Sequence, residues 1–220
     1  MKNKKLAKTL LKTYNALYKT FGKRRWWPGD TKLEIIIGAI LTQNTSWSNV
    51  EKAIGNLKKE GLLKARGLYD IPEKKLSRLI RPAGYYNVKS KRIKIFLSFL
   101  NTEYDLNINK MFAIETECLR QKLLNVNGIG QETADSILLY AGNKPIFVVD
   151  AYTKRILLRH GLVTEEADYK TIQNLFMVNL PNNVKLFNEF HALIVELGKK
   201  LCKRTKPLCG KCPIRRIKYA

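Results

Sequence analysis

The sequence predicts an all-α fold. Apolar residues recur at helical spacing through most of the 220 residues, strand-like alternation is nearly absent, and the breaks between periodic stretches are rich in Gly, Pro and Asn. Helices are expected over roughly residues 3–21, 32–43, 47–60, 73–80, 88–101, 115–124, 131–141, 151–160, 167–178 and 183–201.

The first segment threads lysines through its apolar spacing and has neither an apolar h-region nor a cleavage site, so it reads as an amphipathic helix. Gly22 to Asp30 breaks the pattern. Thr31 followed three residues later by Glu34, just ahead of Ile35, Ile36 and Ile37, is a capping-box signature for a buried helix start. Arg81-Pro82-Ala83-Gly84 turns the chain before the segment at 88–101. The stretches 115–124 and 131–141 are joined by Asn125-Val126-Asn127-Gly128-Ile129-Gly130, which makes them a helical hairpin. After the break at Gly142 to Pro145, the β-like run Pro145-Ile146-Phe147-Val148-Val149-Asp150 leads straight into a helical pattern and is read as an extended connector.

At 45% hydrophobic and 27% charged residues the chain has the composition of a folded protein long enough to bury a core without a disulfide scaffold. No apolar run approaches the roughly 18 residues that span a bilayer, so neither membrane insertion nor secretion is expected and a cytoplasmic location is. The departure from average is charge. Forty-one Lys and Arg against 18 Asp and Glu leave a net +23, which makes nucleic acid the leading partner class, with a lysine-rich or heat-adapted surface as the plain alternative.

The hairpin turn is the most informative local feature. Gly128 and Gly130 can take positive φ and bring bare amides to the surface at a helix N-terminus, where unpaired N–H groups and the dipole favour an anion. Ile129 between them would point inward as a plug. An ordinary helical hairpin with glycine at the cap is the competing reading.

Twenty residues past Gly130 stands Asp150, and the stretch GIGQETADSILLYAGNKPIFVVDAYTKRILLRHG closely resembles the helix-hairpin-helix, Gly/Pro loop and aspartate signature of the endonuclease III superfamily of DNA glycosylases. The likeness includes Thr133-Ala134 and extends to Leu41-Thr42-Gln43-Asn44-Thr45, to Gly84-Tyr85-Tyr86-Asn87 and to a C-terminal cysteine cluster, covering about Trp26 to Cys212. It implies two helical lobes: residues 30–141, and residues 1–29 with 142–220, with double-stranded DNA lying across the cleft. It also implies Asp150 as the catalytic residue. Loss of a base builds positive charge on the deoxyribose, so a fixed anion beside C1′ stabilises the transition state and helps to orient or deprotonate water.

Bifunctional members of that superfamily carry a lysine two residues after the last hairpin glycine, and its amine forms a Schiff base with C1′. Here that position is Glu132, so the resemblance implies a monofunctional glycosylase that leaves an abasic site. Trp26-Trp27-Pro28, the LTQNT stretch followed by Trp47, and Glu132 within GIGQE are similar to the bacterial 3-methyladenine DNA glycosylase III subgroup. That subgroup implies excision of 3-methyladenine from a pocket of Trp26, Trp27, Pro28, Trp47 and Glu132, with Lys199 near it. Tryptophans also commonly staple loops to cores, but an aromatic pocket suits a flipped base and attracts an N-alkylated cationic purine by cation–π interaction.

Gln43 and Asn44, and Tyr85, Tyr86 and Asn87, resemble the superfamily's DNA-penetrating loops, which fill the gap a flipped base leaves. Lys89, with Lys91 and Arg92, is expected to grip phosphates, unless these residues form only a solvated face. Gly128, Ile129, Gly130 and Thr133 complete the expected DNA contact.

Cys202, Cys209 and Cys212 have the C-x6-C-x2-C spacing that begins the superfamily's 4Fe–4S loop, but the position of the fourth cysteine is Lys218. A cluster with an unusual fourth ligand, a zinc site, and free thiols remain open. Cys118 is expected to be a small buried core residue. The chain is thus expected to act as a monomer on damaged double-stranded DNA. The competing readings are a glycosylase/lyase for oxidised pyrimidines or mismatched thymine, and a non-catalytic DNA-binding module.

Overall fold

The computed structural model describes residues 3–24 and 26–218, which carry twelve α-helices and no strand. They are α1 (Lys4–Phe21), α2 (Lys32–Leu41), α3 (Trp47–Lys59), α4 (Ala65–Asp70), α5 (Glu73–Leu79), α6 (Tyr86–Tyr104), α7 (Ile108–Phe112), α8 (Thr116–Leu124), α9 (Gln131–Ser136), α10 (Ala151–Arg159), α11 (Tyr169–Asn179) and α12 (Val184–Lys200). The all-α expectation holds. Two short helices, α4 and α7, were not expected, because five or six residues are too few to show a period. The end of the stretch expected at 131–141 is a π-helical turn, Ile137–Ala141.

The chain divides into two compact units, Pro28–Lys144, and Met1–Trp27 with Pro145–Ala220. The first is built around α2, whose Ile36, Ile37, Ile40 and Leu41 are fully buried and which packs on α3, α6, α9 and the π turn. Its start follows the sequence: Thr31 Oγ1 accepts from the Glu34 amide at 3.1 Å, while the Glu34 carboxylate reaches back to the amide of Asp30 rather than that of Thr31. Lys58 on α3 then pairs with Asp30 at 2.7 Å and Glu34 at 2.8 Å, fixing the entry of the chain into α2.

Within the same unit α8 and α9 form the expected hairpin. Val126 and Ile129 are buried between them, and Asp135, wholly buried, takes a two-pronged bond from Arg120 at 2.7 and 3.2 Å. Such a pair holds two helices in one register because losing either partner strands a buried charge.

In the other unit α1 packs on α11 and α12, and α10 packs on α12. Its core is aromatic: Phe147, from the connector, stacks on Phe176 at 3.8 Å and meets Phe187 and Phe190 edge-on. Gly198 on α12 allows close approach to α10, since a Cβ there would lie 2.3 Å from the Tyr152 ring.

Candidate active site

The connector before α10 is the reason Asp150 has a fixed position. The Gln173 amide group donates to the Phe147 carbonyl at 2.7 Å, and the Val149 amide donates to the Tyr169 hydroxyl at 3.3 Å, so extended backbone with no sheet partner is still satisfied. Asp150 then caps α10: its Oδ1 accepts from the Thr153 amide at 2.7 Å and the Thr153 hydroxyl at 2.9 Å. Its Oδ2 lies 3.6 Å from His191 Nε2, an ion pair whenever the imidazole is protonated, and only 11% of the Asp150 side chain is exposed. Burial alone would raise the pKa of this carboxyl. The His191 imidazole and the two Thr153 donors outweigh it and hold the group below its ordinary range, hence ionised. His191 is a site residue that sequence reasoning missed. The signal for it is a polar side chain within the buried run Phe190–Val195 of α12.

At the hairpin turn, Gly128 has φ +90° and is the left-handed residue, whereas Gly130 is extended at φ −87°, so only one of the two glycines uses the conformation open to both. The Ile129 side chain is buried and its amide donates to the Val126 carbonyl, which confirms the plug and leaves that amide no part in holding an anion. Helix α9 begins after Gly130, which as a glycine supplies no side-chain cap, unlike the residues that cap α1, α2, α10, α11 and α12. Thr133 is buried and its hydroxyl accepts from Gln43 at 2.9 Å, so its side chain braces the turn. Gln43 is likewise engaged. Its Nε2 also donates to the Gly128 carbonyl at 3.0 Å, and its Oε1 accepts from Arg92.

The loop residues differ in what they offer. Asn44 and Tyr85 are exposed with left-handed backbones at φ 53° and 46°, and Tyr85 is 71% exposed. Tyr86 opens α6 beneath the Arg81 guanidinium, and Asn87 accepts from the Ser77 hydroxyl at 2.6 Å. Lys89 is not a phosphate grip. It is 1% exposed and donates to the carbonyls of Leu41 at 2.9 Å and Ala83 at 2.8 Å, and desolvation with Arg92 nearby lowers its pKa. The misreading has a visible source, because Lys89, Ile93, Phe96 and Leu100 share the buried stripe of α6.

Of the expected pocket residues, Trp26, Trp27 and Lys199 come together in one unit. The two indoles meet edge to face at 5.8 Å, and the Lys199 ammonium sits 5.5 Å from the centroid of the Trp26 ring. Pro28, Trp47 and Glu132 belong to the other unit. Trp47 is the first residue of α3, half-buried, with its indole N–H donating to Glu51 at 2.8 Å, and Glu132 is exposed in the first turn of α9.

The cysteine segment supplies three of the four thiolates of the superfamily's cluster loop. Lys218 stands where a fourth thiolate is needed, and among the described residues no group of three His, Cys, Asp or Glu is placed to hold a metal ion. Burial raises the pKa of the Cys212 thiol, and neighbouring Cys202 and Cys209 raise it further. The segment is held by arginines: Arg159 donates to Cys202 Sγ at 3.2 Å and to the carbonyls of Lys203 and Arg204 at 2.7 and 2.9 Å, and Arg155 donates to the Cys202 carbonyl at 3.0 Å. Cys118 is exposed in the first turn of α8, not a core residue.

The profile of HhH-GPD superfamily base excision DNA repair proteins matches residues 37–182, a span that includes Asn44, the hairpin and Asp150. The chain belongs to the HhH-GPD superfamily. This HhH-GPD chain is therefore a DNA glycosylase of base excision repair with DNA as its partner. It is 49% identical over 208 residues to a Methanocaldococcus jannaschii protein named provisionally as a DNA repair glycosylase, covering 94% of each chain. Endonuclease III of Sulfolobus acidocaldarius is 31% identical over 82% of this chain and 78% of its own. Among solved structures, the Helicobacter pylori 3-methyladenine DNA glycosylase bound to 1,N6-ethenoadenine superposes with a TM-score of 0.73 at 29% identity, covering 91% of this chain and 98% of that one. A non-covalent endonuclease III–DNA complex shares the fold at a TM-score of 0.82 and 20% identity, covering 96% and 94%. No described helix is long and apolar enough to cross a membrane.

Proposed function

We propose that this HhH-GPD glycosylase is monofunctional and hydrolyses the N-glycosidic bond of alkylated purines such as 3-methyladenine in DNA. The observation that carries the reading is Glu132, an exposed carboxylate at the position where the bifunctional pattern needs a nucleophilic amine. A carboxylate forms no imine, so strand cleavage has no route through that position. The 29% identity to a protein named as a 3-methyladenine DNA glycosylase supports the same base class.

In this reading the uncapped start of α9 and the turn at Gly128 receive a phosphate, and Asn44 and Tyr85 enter the duplex. Trp26, Trp27, Pro28, Trp47 and Glu132 receive the everted base. Asp150, kept ionised by its helix cap and His191, faces the charge that develops on the sugar as the C1′–N bond breaks, and water then bonds to C1′ to leave an abasic site. A neutral purine lesion is the second reading. It is favoured by the Lys199 ammonium over Trp26, which repels a base cation from that ring.

A gel separates these readings. Duplexes carrying 3-methyladenine, 1,N6-ethenoadenine or a preformed abasic site are incubated with the protein, with and without alkali. Breaks that form only after alkali on a damaged-purine duplex are expected, and nicking of the abasic duplex without alkali overturns monofunctionality. Faster release of 1,N6-ethenoadenine than of 3-methyladenine would select the neutral-lesion reading.

A further inference from the structure

Lys89 is the largest buried polar side chain in its unit, and the mechanism above makes no use of it. Its ammonium is satisfied by main-chain carbonyls, at 2.9 Å to Leu41 and 2.8 Å to Ala83, and among the described residues no carboxylate pairs with it. A buried cation held only by carbonyls is a costly way to fill space, since an apolar side chain of similar length would pack there without the desolvation penalty. The two carbonyls are informative. Leu41 ends α2, three residues before Asn44, and Ala83 closes the turn two residues before Tyr85. Both tips are exposed and left-handed, a conformation that non-glycine residues hold only when their surroundings fix it. A second brace joins the Asn44 loop to the hairpin through Gln43, which holds the Gly128 carbonyl and the Thr133 hydroxyl and accepts from Arg92.

We propose that Lys89 is a positioning residue that ties the Asn44 loop and the Tyr85 loop into one rigid two-pronged wedge, so that both prongs enter a duplex together. The inference rests on the proposal that these loops penetrate DNA. A tied wedge inserts as a unit: removing one prong spoils the placement that makes the other effective, so the two losses do not multiply.

The test is a double-mutant cycle on the full chain, using a duplex with a tetrahydrofuran abasic analogue flanked by 2-aminopurine, whose fluorescence rises on unstacking. Asn44→Ala, Tyr85→Ala and the double variant are measured in the wild-type background and with Lys89→Met. In the wild-type background the combined loss of unstacking is expected to fall at least about fivefold short of the product of the single losses, and with Lys89→Met the two losses are expected to multiply. Independent losses in the wild-type background overturn the tie, and this arm does not require Lys89→Met to fold. The same coupling in a folded Lys89→Met protein also overturns it, since a merely structural lysine would shift the urea midpoint and leave the coupling unchanged. If neither single variant alters the fluorescence, the penetrating-loop reading fails and the inference falls with it.

Discussion

Asp150 is both a helix cap and the proposed catalytic carboxylate, and one substitution separates the roles. Asparagine caps a helix about as well as aspartate, so Asp150→Asn is expected to stay folded and to bind duplex while turnover falls by two orders of magnitude or more, measured in single-turnover assays. The lowered folded pKa also sets a sign. In the unfolded chain the carboxyl titrates near its ordinary value, so its contribution to stability is present above that value and disappears as pH falls through the lower folded one. The difference in Tm between wild type and Asp150→Asn should therefore shrink below about pH 4. Asp150 is legible as a helix cap, because a carboxylate opening a helix is readable in order along the chain, while the catalytic role proposed for it comes from the superfamily resemblance. Residue type could not announce Lys89 or Thr133, whose partners lie dozens of residues away, although the stripe shared with Ile93 and Phe96 already pointed Lys89 inward.

The hairpin is the element proposed to hold the DNA backbone, and its rigidity rests on the pair between α8 and α9. Asp135→Ala removes the buried carboxylate that the half-buried Arg120 holds and is expected to cost about 3 kcal/mol, read as a lower urea midpoint. The long amphipathic helices α1, α3 and α12 could be placed from apolar spacing, since each repeats its buried face over three or more turns. Helices α4 and α7 could not, and neither could the π turn after α9, whose residues are buried all round and so carry no period. The hairpin sequence also left its two glycines looking alike. The structure separates them by surroundings: a Cβ at Gly128 would lie 2.5 Å from the Arg92 side chain, while Gly130 has open space.

Across the whole molecule the net charge of +23 acts at longer range than any single contact. Duplex affinity is expected to fall steeply and linearly in log–log form with added salt. Lys91→Gln, which removes an exposed cation from α6, should reduce that slope by roughly one, measured by fluorescence anisotropy from 50 to 200 mM salt, if Lys91 meets a phosphate. The basic cysteine segment is tied to α10 through arginine bonds to Cys202, Lys203 and Arg204. Spacing could suggest a cluster there, whereas the missing thiolate at Lys218 and the guanidinium that holds the loop depend on position and partners.

The division of the chain also fixes an order of events during synthesis. Residues 28–144 form one uninterrupted unit, whereas the other is assembled from both ends of the chain, as the bond from the Asn3 amide to Asn179 shows. Helix α1 therefore leaves the ribosome before residues 28–144 yet waits for α11 and α12, which are translated after them, so the carboxylate-bearing half matures only after the hairpin-bearing half has been made.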